Sequence, residues 1–206
     1  MWALVESDNV TQVFTRPKGI TVGEVNYPSN IFMLWTASEL EDLGIYEVVI
    51  DNTNLKSNEY YINTNQSFDF ADGVVTASYG VATAKPLDDI LWQEGDEDMP
   101  EGTSVGDVKQ PGIRQGYKDT INAQAGGILQ STDWMVVRAA EGGTPVSSDI
   151  ATWRAAVRTK SNDMCAMIDG VADVDALAAL YVYTNTGTEE SPVMERPLGE
   201  FPELGA

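Results

Sequence analysis

Over the first eighty-odd residues, short apolar runs alternate with turn residues, the period-two pattern of half-buried strands. Trp2 to Glu6 and Val10 to Thr15 flank Ser7-Asp8-Asn9, which predicts a hairpin. Arg16-Pro17-Lys18-Gly19 ends the second run, and Asn26-Tyr27-Pro28-Ser29 marks another turn, since proline biases the preceding residue away from helix. One short helix is predicted over Trp35 to Gly44. Thr36 can cap it, Glu39 completes a capping box three residues later, and Gly44 suits the exit. Strands are predicted at Ile45 to Ile50, Glu59 to Ile62, Ser67 to Phe70 and Val74 to Thr83, with Asp72-Gly73 as a tight turn.

After residue 110 the period lengthens. Ile113, Tyr117, Ile121, Ala125 and Ile128 or Leu129 share one helical face, which Gly126-Gly127 weakens at its last turn. Ser131-Thr132-Asp133 read as cap residues before a second short helix from Trp134 to Arg138, ending at Gly142-Gly143. Ser147-Ser148-Asp149 precede a longer helix on which Ile150, Trp153, Val157, Ser161, Met164 and Ile168 follow 3-4-4-3-4 spacing, close to an a/d seam, until Gly170. A last helical segment is expected from Asp173 to Leu180. From Asn185 onward the chain is rich in Gly, Pro and Glu, with apolar beads that include Phe201 and Leu204, a composition that predicts an extended tail. The expected class is α+β: a β-rich domain over 1–85, an acidic linker or loop over 86–110, a helical domain over 111–184 and an extended tail over 185–206.

Charge sharpens this picture. The 206 residues carry 32 acidic and 12 basic groups, a formal net charge of −20. Such a surface repels phosphate backbones and anionic lipid, so neither nucleic acid nor membrane is expected as a partner. No apolar run approaches the ~18 residues that span a bilayer. The opening Met1-Trp2-Ala3-Leu4-Val5-Glu6 lacks a basic leader, so no secretory signal is expected. Eight acids and no base fall between Pro86 and Asp107, a run expected to stay solvated and irregular.

Candidate chemistry is thin. With no histidine and one cysteine, the chain excludes Ser-His-Asp and Cys-His catalysis, histidine-bearing zinc sites and an internal disulfide. Cys165, among Met164, Ala166, Met167 and Ile168, reads as a buried structural thiol. Asp96, Asp98 and Glu101 could offer oxygens to calcium, but their spacing departs from the EF-hand loop. Asp133 beside Trp134 is the most tempting acid for catalysis, and its position before the predicted helix favours a cap instead. Arg154 and Arg158 stand one helical turn apart near Arg138 and Lys160; they read as ion-pair partners, with an anion-binding patch as the alternative. The five tryptophans read as packing residues, with a carbohydrate platform as the lesser alternative. No phosphate-binding Gly-rich loop and no G-x-S-x-G elbow occurs. No enzyme activity, metal or cofactor is expected.

One stretch is distinctive. Ser131-Thr132-Asp133-Trp134-Met135-Val136-Val137-Arg138-Ala139-Ala140-Glu141-Gly142-Gly143-Thr144-Pro145-Val146, followed by Trp153-Arg154-Ala155-Ala156-Val157-Arg158, resembles the C-terminal stretch of bacteriophage tail-fibre assembly proteins and related tail-associated proteins. Their T-D-W-x-x-x-R-x-x-E-G…P segment leads into a helix carrying R-x-x-x-R. The opening hairpin and Trp35 to Val48 are similar in layout. The resemblance implies a non-enzymatic protein of the phage tail or fibre-attachment region, made in the host cytoplasm and carried in the virion. Its expected partners are other tail proteins and copies of itself; a transient assembly chaperone is the alternative. The acidic insert and the tail depart from the family pattern, and a permanent component can use such a tail to grip a neighbour. The residues expected at that interface are Ile150, Trp153, Val157, Met164, Phe201 and Leu204.

Overall fold

The computed structural model describes residues 1–205, and the fold is α+β. The chain divides into two compact units, Met1–Thr83 and Ala84–Ala206.

In the first unit, β1 (Trp2–Glu6) and β2 (Asn9–Phe14) form the expected hairpin. Ser7 and Asp8 both take positive φ (51° and 62°), as a two-residue type I′ turn requires. A small hairpin that the sequence reading missed follows, β3 (Ile20–Val22) with β4 (Val25–Tyr27). Next come a single helical turn, α1 (Ile31–Leu34), also missed, and the expected α2 (Ala37–Glu41). The capping box on α2 is complete: Thr36 N–H donates to Glu39 Oε2 at 2.7 Å, and Glu39 N–H donates to Thr36 Oγ1 at 3.3 Å. The Thr36 backbone N–H holds the Glu39 carboxyl below its ordinary pKa. Gly44 leaves the helix at φ +78°, and an added Cβ would sit 2.7 Å from the Val5 carbonyl oxygen, so no other residue fits.

β5 (Ile45–Asp51), β6 (Tyr61–Ile62), β7 (Gln66–Ala71) and β8 (Val74–Tyr79) complete the unit, which the chain leaves through β9 (Thr83–Ala84). The main sheet runs β2-β1-β5-β8-β7, with β5 and β8 parallel and the other neighbours antiparallel. Its edge strands β2 and β7 approach each other, so the sheet curls. Strand alternation divides the core between the faces. Leu4 and Ile45 pack with Phe14, Ile31, Phe32 and Leu40 on one side, and Ala3 and Val48 pack with Val75 and Ala77 on the other.

The second unit begins with the acidic segment, which is largely loop and turn and belongs to this unit rather than linking it to another. β10 (Ile90–Leu91) pairs with β11 (Val108–Gln110), and Trp92 is buried. Lys109 closes the loop, its Nζ 4.5 Å above the Trp92 ring and 3.0 Å from Asp96 Oδ2. The backbone N–H of Gln93 and the Lys109 ammonium together lower the Asp96 pKa. The segment also supplies partners to the start of α3 (Ile113–Ala140), whose first N–H groups have none within the helix. Ile113 N–H donates to Pro86 O at 3.0 Å, Arg114 N–H to Leu87 O at 2.9 Å and Gly112 N–H to Asp89 Oδ1 at 2.7 Å. Acids concentrate where a helix N-terminus favours negative charge. Gly112 is obligatory here, because a Cβ would lie 2.3 Å from the Asp88 carbonyl carbon.

α3 is one 28-residue helix, not two. Gly126 and Gly127 sit inside it with nothing within 4 Å of where their Cβ would be. Ser131 and Thr132 do not cap; their hydroxyls donate back to the carbonyls of Ile128 and Leu129 within the helix. The buried face continues through the expected break, with Ile121, Ala125 and Thr132 all inside. α4 (Ser148–Asp169) starts at Ser147, whose Oγ accepts from Ile150 N–H at 3.4 Å, and stops at Gly170, both as the sequence predicts. It packs antiparallel on α3, and Val157, Ser161, Met164 and Ile168 are buried. α5 (Val174–Ala179) is capped by Asp173.

The C-terminal segment is not an extended tail. It turns back through β12 (Thr184–Asn185) and β13 (Met194–Glu195), which pair antiparallel. Leu198 is fully buried, and its N–H donates to Leu180 O at 3.1 Å. The Arg196 guanidinium lies over the rings of Tyr181 and Tyr183 and pairs with Glu200 at 2.8 Å.

Among the described residues, no helix is long and apolar enough to cross a membrane.

One pH effect follows from the acidic segment. The Arg114 guanidinium hydrogen-bonded to Asp88 lowers that carboxyl's pKa. A depressed folded-state pKa gives stability that is present above the unfolded value, about 3.9, and is lost as pH falls through the folded value. The stability gap between the wild type and Asp88→Asn should therefore narrow as pH is lowered from about 6 to about 3. Comparing the two proteins cancels the general relief of self-repulsion on acidification. A gap unchanged with pH in urea titrations would show that the ion pair contributes nothing.

Candidate interaction site on α4 and the C-terminal segment

The predicted interface residues separate into two groups. Val157 and Met164 are fully buried in the helical unit, so the a/d seam serves the contact with α3 and presents no surface to a partner. Ile150, Trp153 and Phe201 are half-buried and Leu204 is 49% exposed. Of these, Trp153 and Leu204 come together. Trp153 Nε1 donates to Pro202 O at 2.9 Å, laying the end of the chain beside the N-terminal half of α4. Between them lies a groove of about 520 Å³, lined by Asp149, Thr152, Trp153, Ala156, Pro202 and Leu204 among others. Its walls are largely apolar, with Asp149 and Glu203 also lining it, a composition suited to another polypeptide.

Arg154 ties α4 to α3. Its Nη1 donates to Leu129 O at 2.8 Å and Thr132 Oγ1 at 2.5 Å, and its Nη2 to Asp133 Oδ1 at 2.7 Å. Asp133 thus lies in mid-helix as an ion-pair partner, neither the expected cap nor a free acid for catalysis. Arg154 meets the ion-pair expectation; Arg158 has no salt bridge among the described residues. Arg154 and Arg158 line a smaller hollow of about 220 Å³ with Val136, Val146 and Ala151.

On α3, Trp134 and Val137 are both 55% exposed, and the Arg138 guanidinium lies 4.9 Å from the Trp134 ring centre. The sequence reading gave Trp134 to packing. The place of both residues off the Ile121–Ala125–Thr132 face was visible once α3 was read as one helix.

Cys165 is half-buried, with Sγ 3.8 Å from Asn122 Oδ1, and burial raises its pKa, the direction of an inert structural thiol. Among the described residues, no three or more acidic or cysteine side chains gather as a metal would require.

No known protein family, characterised protein or solved structure matches this chain.

Proposed function

We propose that the chain is a non-enzymatic structural component of a phage virion, in the tail or fibre-attachment region, acting through protein–protein interfaces with other tail proteins and copies of itself. The observation that carries the reading is the groove between Trp153 and Leu204, an apolar surface built by a helix and a tethered chain end. Protein-binding surfaces centre on buried aromatic and aliphatic anchors of this kind. The T-D-W…R-x-x-x-R resemblance supplies the phage context. The exposed Trp134 and Val137 add a second apolar surface on the same unit. Strong negative charge argues against nucleic acid and anionic membrane as partners.

Quantitative mass spectrometry of purified particles tests the reading. A fixed, stoichiometric copy number is expected; absence from particles, with the protein still required in the infected cell, would assign it to assembly as a chaperone. Leu204→Asp tests the groove itself. Because Leu204 is exposed, the variant should keep its stability within about 0.5 kcal/mol, yet fail to incorporate into particles. Normal incorporation of the folded variant would remove the groove from the interface.

A further inference from the structure

A further cavity lies in the first unit, independent of the surfaces above. It measures about 210 Å³ and is lined by Trp2, Phe32, Trp35, Leu40, Glu41 and Glu47, with Ala37 and Ile45. Two strands and two short helices place its walls. Trp2 and Glu47 are directly opposed in the β1–β5 register, so both side chains emerge on one face of the sheet. Trp35 closes α1 as its C-cap residue, and Tyr27 braces it edge-on at 5.8 Å between ring centres. Phe32 packs at 4.9 Å from Trp2. Glu41 ends α2, whose start is locked by the Thr36–Glu39 capping box.

Aromatic faces are electron-rich, and here they adjoin two carboxylates that form no salt bridge among the described residues. A neutral apolar occupant would make no use of the carboxylates, and an anion would be repelled. A cation on an apolar stem satisfies both features. The surroundings identify the source of that cation. Met33 and Leu34, between Phe32 and Trp35 in sequence, are 70% and 73% exposed. A free small cation has no use for this apolar flank, whereas a polypeptide carrying the cation would cover it.

We propose that this cavity is a docking pocket for an arginine or lysine side chain of a partner polypeptide, with the side-chain head between Trp2, Trp35, Glu41 and Glu47 and the flanking backbone over Met33 and Leu34. The pocket makes no use of the α4 groove, so it stands or falls separately from the proposal above.

The test uses the full chain and follows the indole N–H signals of Trp2 and Trp35 by NMR during titration with acetyl-Leu-Arg-Leu-amide. Saturable shifts at both indoles are expected. The citrulline analogue, equal in shape and uncharged, should bind about tenfold more weakly. The double variant Glu41→Gln/Glu47→Gln, both positions exposed, should fold normally and bind the arginine peptide about tenfold more weakly, with the remaining binding less sensitive to salt. Absence of shifts, equal binding of the citrulline peptide, or unchanged binding by the double variant would overturn the proposal. Tetramethylammonium binding as tightly as the peptide would overturn the polypeptide source, and stronger shifts with methyl glucoside would make the pocket a carbohydrate site instead.

Discussion

Replacing Arg114 with methionine is expected to lower the stability of the C-terminal unit by about 2–4 kcal/mol, a large loss for a single substitution. This side chain joins three parts of the unit. Its Nη1 donates to the carbonyls of Ile168 and Asp169, its Nη2 to Val171 O at 3.2 Å, and its Nε pairs with Asp88 at 2.5 Å. The last carbonyls of α4 have no partners within the helix, so the guanidinium both satisfies them and places positive charge at the helix end that favours it. The same group holds the acidic segment against the start of α3. Methionine keeps the packing volume and abandons all of these bonds. Lysine should recover only part of the loss, since an ammonium cannot reach several carbonyls and a carboxylate in one plane. Denaturant unfolding followed by far-UV circular dichroism gives the value. A loss below about 1 kcal/mol would place Arg114 with ordinary surface ion pairs.

The second large effect is expected at Leu198. Truncation to alanine should cost about 2–5 kcal/mol, as for fully buried leucines elsewhere. An extended tail would make this substitution silent. The fold predicts otherwise, because Leu198 has no exposed surface and its backbone is bonded to Leu180. The variant should also be cut by proteases faster than the wild type between β13 and Leu204. Leu204→Ala serves as the control and should change stability by no more than about 0.5 kcal/mol.

These contrasts show which parts of the fold the sequence makes legible. Local chemistry was readable wherever one short segment decides the outcome. Ser7-Asp8 and Asp72-Gly73 make their turns because few residues tolerate positive φ, and Thr36 with Glu39 makes its box because both partners lie within four residues. Long-range partners were not readable. Gly126-Gly127 and Ser131-Thr132-Asp133 look like a helix break, yet Arg154, more than twenty positions away, draws Asp133 and Thr132 into a continuous helix. The acidic run resembles a linker until Lys109 and Arg114 neutralise part of it. The tail resembles a free end until Arg196 and Leu198 dock. In each case the deciding residue lies outside any local window.

The candidate sites divide in the same way. The a/d spacing on α4 correctly marks an apolar stripe, but spacing alone does not say whether a stripe meets its own chain or another. Only Trp153 and Leu204 of the predicted set reach a shared surface. The Trp2–Trp35 cavity escaped notice because its walls come from two strands and two short helices, and nothing in their spacing foretells that they converge.

The burial of Leu198 also bears on how the protein is made. The first unit is compact over residues 1–83, so it can finish folding while the ribosome is still translating the rest. The helical unit has no such freedom: its interior stays open until residue 198 has emerged, and until then its apolar surfaces are exposed to chaperones and to neighbouring nascent chains.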